Sequence, residues 1–434
     1  MINRFYSNPS AGSKLEWAAI NVVLAIGYCV RSIAGDDIAL RFDDSKITNC
    51  INNVREQMDD ILSRKDEIYG VQVLLGLAIL HQGNVDQETP STWVSTALRL
   101  AHRVAQQRTN VFWIAYFLDK DSSLRLSIPS FQLDSDVDLD LPTEGEIQSL
   151  DGLSRFNYFR ARVLLAHIAG KIYDELYSNR SRKLSAEARQ QRIFSLNRIL
   201  DQWYRSIPTP LQAEHLTQTL GKVPGSLMIA LHRSYLFCLV MLHGVYSLES
   251  PWVQKLGGFA IMVLQHSDKN SDVCMKGFAP PLPSAWVKLV TTSRSSLRLY
   301  LSELNGIGMI WPDARSNFTA FVILWANIIY HPQHDFVEHD RRLIRDAISL
   351  TDKQLNYDGL EKYKQLQCVL AGLERLADVT TNYAKENEGY RLASDINLQI
   401  DGSHPALQFE GSAAENIDPI FVSSQRPNTK GSVD

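Results

Sequence analysis

The stretch TNVFWIAYFLDKDSSLRLSIPSFQLDSDVDLDLP, residues 109–142, contains two patterns that meet at Pro129. Before the proline, large apolar residues such as Trp113 and Tyr116 recur at the spacing of one face of an α-helix. After it, aspartates occur at every second position from Asp134 to Asp140, and from Val137 onward the intervening residues are apolar, as far as Pro142. The stretch therefore predicts an aromatic helix followed by an extended acidic connector.

The four aspartates of this connector, at positions 134, 136, 138 and 140, invite comparison with a calcium-binding loop. Such a loop needs oxygen ligands at loop positions 1, 3 and 5, a glycine at 6 and a bidentate glutamate at 12. Counted from Asp134, position 6 is Leu139 and position 12 is Gly145, and counting from Asp136 fails at the same two places. We therefore assign no metal to the connector and expect its carboxylates to face water. Its apolar residues are expected to pack on the protein: Val137, Leu139 and Leu141.

Helical spacing of apolar residues extends along most of the chain, and no segment shows a convincing strand alternation. The candidate helices cover about residues 15–31, 50–63, 67–82, 91–107, 110–120, 152–178, 186–205, 226–247, 283–306, 315–330, 336–350 and 358–387. The sequence therefore predicts an all-α fold, an irregular domain of about a dozen helices spanning residues 1–387. Residues 388–434 are rich in Gly, Ser, Asn and Pro, which predicts a disordered tail. The tail mixes apolar and acidic residues, so an acidic activation segment and a plain solvated terminus both remain open.

Composition excludes several classes of protein. The formal net charge is −4, which is no footprint for neutralising a nucleic-acid backbone across the whole protein. The five cysteines never form a C-x-x-C pair, which argues against a thiolate zinc site or a disulfide framework and favours a reducing, intracellular compartment. The apolar run Trp17–Val30 has 14 residues, whereas a membrane span needs about 20, so we interpret it as a buried helix.

Two further clusters could hold metals. Asp59, Ser63 and Glu67 match the second metal motif of class I terpenoid synthases, in which three oxygen ligands recur at every fourth residue of a helix. Only 58 residues precede Asp59, and the acid-rich motif that should lie a hundred or more residues upstream is missing, which favours an ordinary polar helix face. The segment HPQHDFVEHDRR, residues 331–342, is rich in imidazoles and carboxylates but contains no H-E-x-x-H pattern, so a turn that opens the next helix is favoured.

No P-loop, dinucleotide-binding or nucleophile-elbow motif occurs either. From the residues alone, we assign no catalytic, cofactor-binding or metal-ligating side chain.

Residues 109–142 nevertheless have a specific likeness. They resemble the middle homology region, or fungal-specific transcription factor domain, of fungal binuclear zinc-cluster transcription factors. In that family a basic lead into Phe-Trp opens an aromatic helix ending in Leu-Asp-Arg, followed by a Ser-containing turn, Gly-Arg-Pro and an acidic run closing on Leu-Pro. The matching positions in this chain are Arg108, Phe112, Trp113, Tyr116, Leu118, Asp119, Ser122, Ser123, Pro129, Asp136, Val137, Asp138, Leu141 and Pro142.

The chain departs from the family pattern at two places. Lys120 replaces the usual arginine, and Leu126 to Ile128 lie where the usual Gly-Arg would be, which puts the tight turn and the arginine contact in doubt. Flanking segments also match in order and spacing, so the resemblance covers about residues 15–380.

The resemblance implies a regulatory domain that controls transcription in the nucleus in response to a small molecule or a partner protein. It implies a structural role in the helix core for Phe112, Trp113, Tyr116 and Asp119, and we expect Asp119 to pair with a basic side chain or to cap a neighbouring helix. It also implies partners in the transcription machinery and permits a homodimer.

The six-cysteine zinc cluster with which this family contacts DNA is not found in this sequence, so DNA would be reached only through a missing N-terminal segment. We therefore expect no cofactor in this chain and no enzyme activity. The alternatives are an all-α magnesium-dependent terpenoid-type enzyme and a scaffold or corepressor-like protein that works without DNA.

Overall fold

The structure is a computed structural model of the 434-residue chain. It describes residues 13–34, 37–63, 68–81, 88–104, 109–246, 250–266, 279–302, 314–355 and 361–386. The tail 388–434, for which we predict disorder, lies outside these residues.

The described residues form a helical protein, which confirms the predicted fold class. Its helices are α1 (Lys14–Ala34), α2 (Asp37–Arg55), α3 (Met58–Ser63), α4 (Ile68–His81), α5 (Glu88–Val104), α6 (Thr109–Leu126), α7 (Tyr158–Ile172), α8 (Ala186–Arg205), α9 (Leu216–Thr219), α10 (Lys222–Leu242), α11 (Pro251–His266), α12 (Trp286–Tyr300), α13 (Ala314–Tyr330), α14 (Val337–Leu355) and α15 (Glu361–Glu386). A π-helical turn, Tyr173–Tyr177, continues α7.

Local sequence signals fix several helix ends. Asn157 caps α7, because its side chain accepts a hydrogen bond from the backbone N–H of Arg160 at 2.8 Å. Ser185 caps α8 in the same way through the N–H of Ala188 at 3.2 Å. These caps satisfy N–H groups that the first turn of a helix leaves without a partner.

The helices enclose two apolar cores. The first lies among α1, α4, α5 and α6, where Gly76 lets α4 approach α1 because any side chain at that position would collide with Val22. The second is built mainly from α8 and the helices that follow α9. Helix α7 is shared: Val163 belongs to the first core and Leu165 to the second, so α7 joins the two halves of the molecule.

One helix of the described residues, Pro224–Leu242, is long and apolar enough to cross a membrane. Most of it, 83% of its most apolar window, is buried inside the protein, as in the core helix of a folded domain.

The structure corrects the prediction that no strand is present. Strands β1 (Glu146–Gln148) and β2 (Arg155–Asn157) form an antiparallel hairpin in which Ile147 lies opposite Phe156. A strand of three residues is too short to show an alternating pattern in the sequence. Because β2 was not recognised, the predicted helix over 152–178 started too early; α7 begins only at Tyr158.

One helix prediction was incomplete, and one helix was not predicted. The segment 50–63 divides between the end of α2 and the short helix α3, with a turn at Glu56 and Gln57. Helix α11 was missed because Gly257 and Gly258 lower its helix propensity, yet burial of Phe259 and its apolar neighbours holds it in place.

Candidate functional site

The aromatic residues of α6 lie in the first core. Phe112, Trp113 and Tyr116 are each at most 1% exposed, and the rings of Trp113 and Tyr116 meet edge to face with centroids 5.2 Å apart. The indole N–H of Trp113 donates to the backbone carbonyl of Asp140 at 2.9 Å. The aromatic helix therefore holds the far end of the acidic connector.

The turn after α6 forms without the glycine that the family pattern contains. Ser127 takes the left-handed conformation with φ of 54°, and the Ser123 hydroxyl donates to the carbonyl of Ile128 at 2.6 Å. This conformation costs a residue with a side chain about 1–2 kcal/mol, so neighbouring contacts stabilise the turn.

Asp119, 2% exposed, organises the loop that follows the turn. Its carboxylate accepts hydrogen bonds from the Ser130 hydroxyl at 2.6 Å and from the backbone N–H groups of Phe131 at 3.2 Å and Gln132 at 3.1 Å. Burial raises the pKa of Asp119 above its usual value, against the opposing effect of these donors. Asp119 thus anchors a loop. This differs from our expectation that it would pair with a basic side chain or cap a neighbouring helix.

Lys120 is 2% exposed and reaches the same loop from its other side. Its ammonium group donates to the carbonyl of Gln132 at 2.7 Å and lies 2.8 Å from Oδ1 of Asp134. Gly170 on α7 makes room for the lysine stem, because a Cβ there would lie 2.9 Å from Cδ of Lys120. A fully buried cation is stable only when paired, and Asp134 supplies the pairing charge.

Asp134 joins α6, α7 and the connector. Its carboxylate accepts from the Tyr116 hydroxyl at 2.8 Å and lies 3.0 Å from Nδ1 of His167, which is 2% exposed. Partial burial raises the pKa of Asp134, but the hydrogen bond from His167 and the charge of Lys120 outweigh it and hold the pKa well below its usual range. We call Tyr116, Asp119, Lys120, Ser130, Gln132, Asp134 and His167 the connector network.

We expected the carboxylates of all four aspartates in the connector to face water, and this expectation was wrong for Asp134. Its side chain is 22% exposed and bound by three partners. Asp136, Asp138 and Asp140 are exposed as expected. Their apolar neighbours pack against the first core, which confirms the alternation: Val137, Leu139 and Leu141.

The two prolines of the connector differ in their surroundings. Pro129 is exposed, whereas Pro142 is buried. The carbonyl of Pro142 accepts from the Asn157 side chain at 3.3 Å, which links the end of the connector to the cap of α7.

The other sequence clusters are placed as follows. Asp59 lies in α3, whereas the side chain of Ser63 and the whole of Glu67 lie outside the described residues. His331, His334 and Asp335 lie in the turn between α13 and α14, where Nδ1 of His334 accepts from the N–H of Phe336 at 3.0 Å. His339 lies 3.0 Å from the Arg298 guanidinium, and Asp340 binds Arg294. In the part of the chain that the structure describes, no three His, Cys, Asp or Glu side chains converge as metal ligands would.

The connector network contains a carboxylate, a histidine and a hydroxyl in contact with one another. Such a set could act in catalysis if it were exposed to a substrate. Here His167 and Lys120 are each 2% exposed, so a substrate does not reach them. The set holds an irregular segment between two helices.

Comparison with known proteins finds a family model that covers this part of the chain. Residues 70–205 match the model of the family described as fungal specific transcription factor domain, a range that includes the whole connector network. Over this range the chain is similar to that family.

Two proteins similar to this chain are named ABC-transporter-regulating transcription factors. The protein from Aspergillus oryzae is 28% identical over 89% of this chain and 44% of its own length. The protein from Aspergillus fumigatus is 28% identical over 94% of this chain and 47% of its own length. A transcriptional regulatory protein of Schizosaccharomyces pombe, itself uncharacterised, is 23% identical over 68% of this chain and 36% of its own length. The chain thus spans a little under half the length of the two Aspergillus relatives.

No solved structure matches the chain. The relatives are transcriptional regulators, so the regulatory-domain hypothesis holds over the terpenoid-type enzyme.

Sequence reasoning missed His167 and the special position of Asp134. The signal for the first was a lone histidine inside the apolar run VLLAHIAG, residues 163–170, where a buried polar group needs a partner. Asp134 could not be separated from the other three aspartates by spacing alone.

Proposed function

We propose that this chain controls transcription as the regulatory domain of a fungal transcription factor. The observation that carries the proposal is the match to two named transcription factors along 89% and 94% of the chain. The protein would act in the nucleus, through partners in the transcription machinery, and would contact DNA through a segment outside this sequence. A homodimer and a small-molecule inducer belong to the same proposal.

Within this function the connector network has a structural role. Its buried charges are paired and hydrogen-bonded, as stable buried charges must be, and they fix the acidic connector between α6 and α7. We propose that the regulatory domain extends over residues 1–387, that it works without a cofactor and that it is not an enzyme.

The names of the Aspergillus relatives suggest the target genes. We propose that the full protein regulates genes for ABC transporters, since both relatives are named for that role. Deletion of the gene should change ABC-transporter transcript levels at least twofold, as measured by RNA sequencing. Transcript levels that stay unchanged both without and with an inducer would rule out ABC-transporter genes as targets. The regulatory role itself would then be decided by the next test.

The regulatory role is tested by fusing the chain to a heterologous DNA-binding domain beside a reporter gene. The wild-type fusion should change reporter output in at least one inducing condition. Lys120→Met should reduce that change because it leaves Asp134 without its cation, whereas the exposed Lys183→Met is the matched control and should behave as wild type. Immunoblots must show equal fusion levels. A wild-type fusion that occupies its DNA site and never alters the reporter would contradict the proposal.

A further inference from the structure

The loop that follows α6 displays two large apolar side chains. Phe131 is 57% exposed and Leu133 is 59% exposed, while Gln132 between them is 3% exposed. Phe131 and Leu133 thus flank a buried residue and are both exposed to solvent. Exposed apolar side chains that lie together mark interaction surfaces more often than single ones do.

The backbone of this loop is held in place. The N–H groups of Phe131 and Gln132 both donate to Asp119, and the carbonyl of Gln132 accepts from Lys120 at 2.7 Å. The Gln132 side chain turns back and donates to the carbonyl of Leu133 at 2.8 Å. Phe131 and Leu133 therefore stay outside because their backbone is anchored, and a partner that covered them would not have to order the loop first.

The surroundings of the two side chains are acidic. Asp136, Asp138 and Asp140 are exposed on the same connector. The sequence from residue 127 to residue 154 contains seven acidic residues and neither lysine nor arginine. Lys120, which is buried beneath the loop, is already paired with Asp134, so it does not neutralise the exposed carboxylates. We call Phe131, Leu133, Asp136, Asp138 and Asp140 the acidic-apolar edge.

We propose that the acidic-apolar edge docks a basic peptide segment, belonging to a partner protein, that carries apolar side chains beside its lysines or arginines. The connector contains a 3₁₀ turn at Asp134–Asp136, so from residue 131 to residue 140 it spans less than the roughly 30 Å of a fully extended chain and can receive a short peptide segment of fewer than about nine residues. The apolar side chains of the partner cover Phe131 and Leu133, and its cations meet the three carboxylates. Phosphate backbones and anionic membranes are repelled by the same charge.

A second exposed apolar pair serves as the internal control. Leu150 and Leu153, at the tip of the β-hairpin, are 73% and 86% exposed. The nearby carboxylate of Asp151 is occupied by the N–H of Leu153 at 3.0 Å and by the Ser149 hydroxyl. The hairpin tip thus has more exposed apolar surface and fewer available charges than the acidic-apolar edge. Comparing the two surfaces distinguishes nonspecific hydrophobic binding from specific docking.

The test measures binding of the purified chain to a fluorescein-labelled 11-residue peptide of alternating lysine and leucine, by fluorescence anisotropy up to 1 mM protein. The counterpart peptide has glutamate in place of lysine. Wild type should bind the lysine peptide at least tenfold more tightly than the glutamate peptide, and added salt should weaken that binding. Phe131→Ser with Leu133→Ser should weaken it tenfold or more. Asp136→Asn with Asp138→Asn and Asp140→Asn should weaken it and flatten its dependence on salt.

Leu150→Ser with Leu153→Ser should leave the affinity within twofold of wild type. All the changed residues are exposed, so the variants should unfold at the temperature of wild type, and circular dichroism checks this. The proposal is overturned if wild type binds neither peptide, if it binds both equally, or if the hairpin variant loses as much affinity as the edge variant. Because the measurement uses purified protein, a failed reporter assay does not decide it.

Discussion

Asp134, which is partly buried, and Asp340, which is fully buried, are both carboxylates held by cations, but they connect different kinds of structure. Asp340 is fully buried and accepts two parallel bonds from Arg294, at 2.7 Å from Nε and 2.8 Å from Nη2, which join α12 to α14. Nε2 of His334 lies farther away, at 3.8 Å. Asp134 belongs to a loop and needs Lys120, Tyr116 and His167 together. Helices bring their own backbone hydrogen bonds, so one bidentate pair suffices there, whereas an irregular segment must obtain its bonds from side chains.

The largest effect is expected at Asp340. Asp340→Ala removes both acceptors of Arg294, whose side chain is 16% exposed, and leaves a guanidinium without its partner. We expect a loss of about 3 kcal/mol in the free energy of unfolding, measured by urea denaturation.

Asp335→Ala is the matched control for this change, because Asp335 is exposed five residues earlier and should alter stability by less than about 0.5 kcal/mol. Equal losses in the two variants would show that the pair between α12 and α14 is not what holds this region together.

The second effect is expected at Asp134. Asp134→Asn keeps the shape of the side chain but removes the charge that pairs with Lys120 and His167. We expect a loss of about 2 kcal/mol near neutral pH, the range for hydrogen bonds to charged groups. Asp136→Asn, on an exposed neighbour of the same ladder, should be close to neutral.

The loss at Asp134 should depend on pH in one direction. The folded pKa of Asp134 lies below the unfolded value of about 3.9, so the ionised group stabilises the fold above that value. This contribution disappears as the pH falls through the folded pKa. Asparagine does not titrate, so the difference between wild type and Asp134→Asn should shrink as the pH is lowered from about 6 to about 2. A difference that stays constant over this range would contradict the ion pair.

The smallest effect concerns the turns beside the two sites. Ser127 after α6 and Ala285 before α12 are the non-glycine residues with positive φ in the described part of the chain, at 54° and 62°. Ser127→Gly and Ala285→Gly should each stabilise the protein by about 0.5–1 kcal/mol, since glycine adopts this conformation without strain. Thermal unfolding measures the gain.

Ser135→Gly is the control, because Ser135 has a negative φ and should lose a few tenths of a kcal/mol on gaining backbone freedom. A similar gain at Ser135 would mean that the left-handed conformation is not the cause.

Sequence patterns predicted the parts of the fold that follow from periodicity. The burial of Trp113 and Tyr116 and the packing of Val137, Leu139 and Leu141 follow from helical and alternating spacing. The short hairpin and the glycine-containing helix α11 were missed, because three-residue strands show no period and tertiary packing overrides helix propensity.

The candidate site was less accessible to sequence reasoning. The resemblance located α6 and the connector. The contact of Asp134 with His167, however, joins residues 33 positions apart, and no local sequence pattern predicts it. Likewise the bidentate pair of Arg294 and Asp340 was hidden among the histidines of residues 331–342, which suggested metal chemistry.

The most direct measurement of the central claim, that buried side chains of α6 and α7 hold the acidic connector in place, is hydrogen exchange followed by mass spectrometry. Segment 128–142 is compared with helix α8 in wild type, Lys120→Met and the exposed control Lys183→Met. We predict that the amides of Phe131 and Gln132 are protected in wild type and in Lys183→Met. In Lys120→Met, exchange across 128–142 should accelerate at least tenfold while α8 is unchanged. Unprotected exchange of this segment in wild type, or identical rates in wild type and Lys120→Met, would contradict the account.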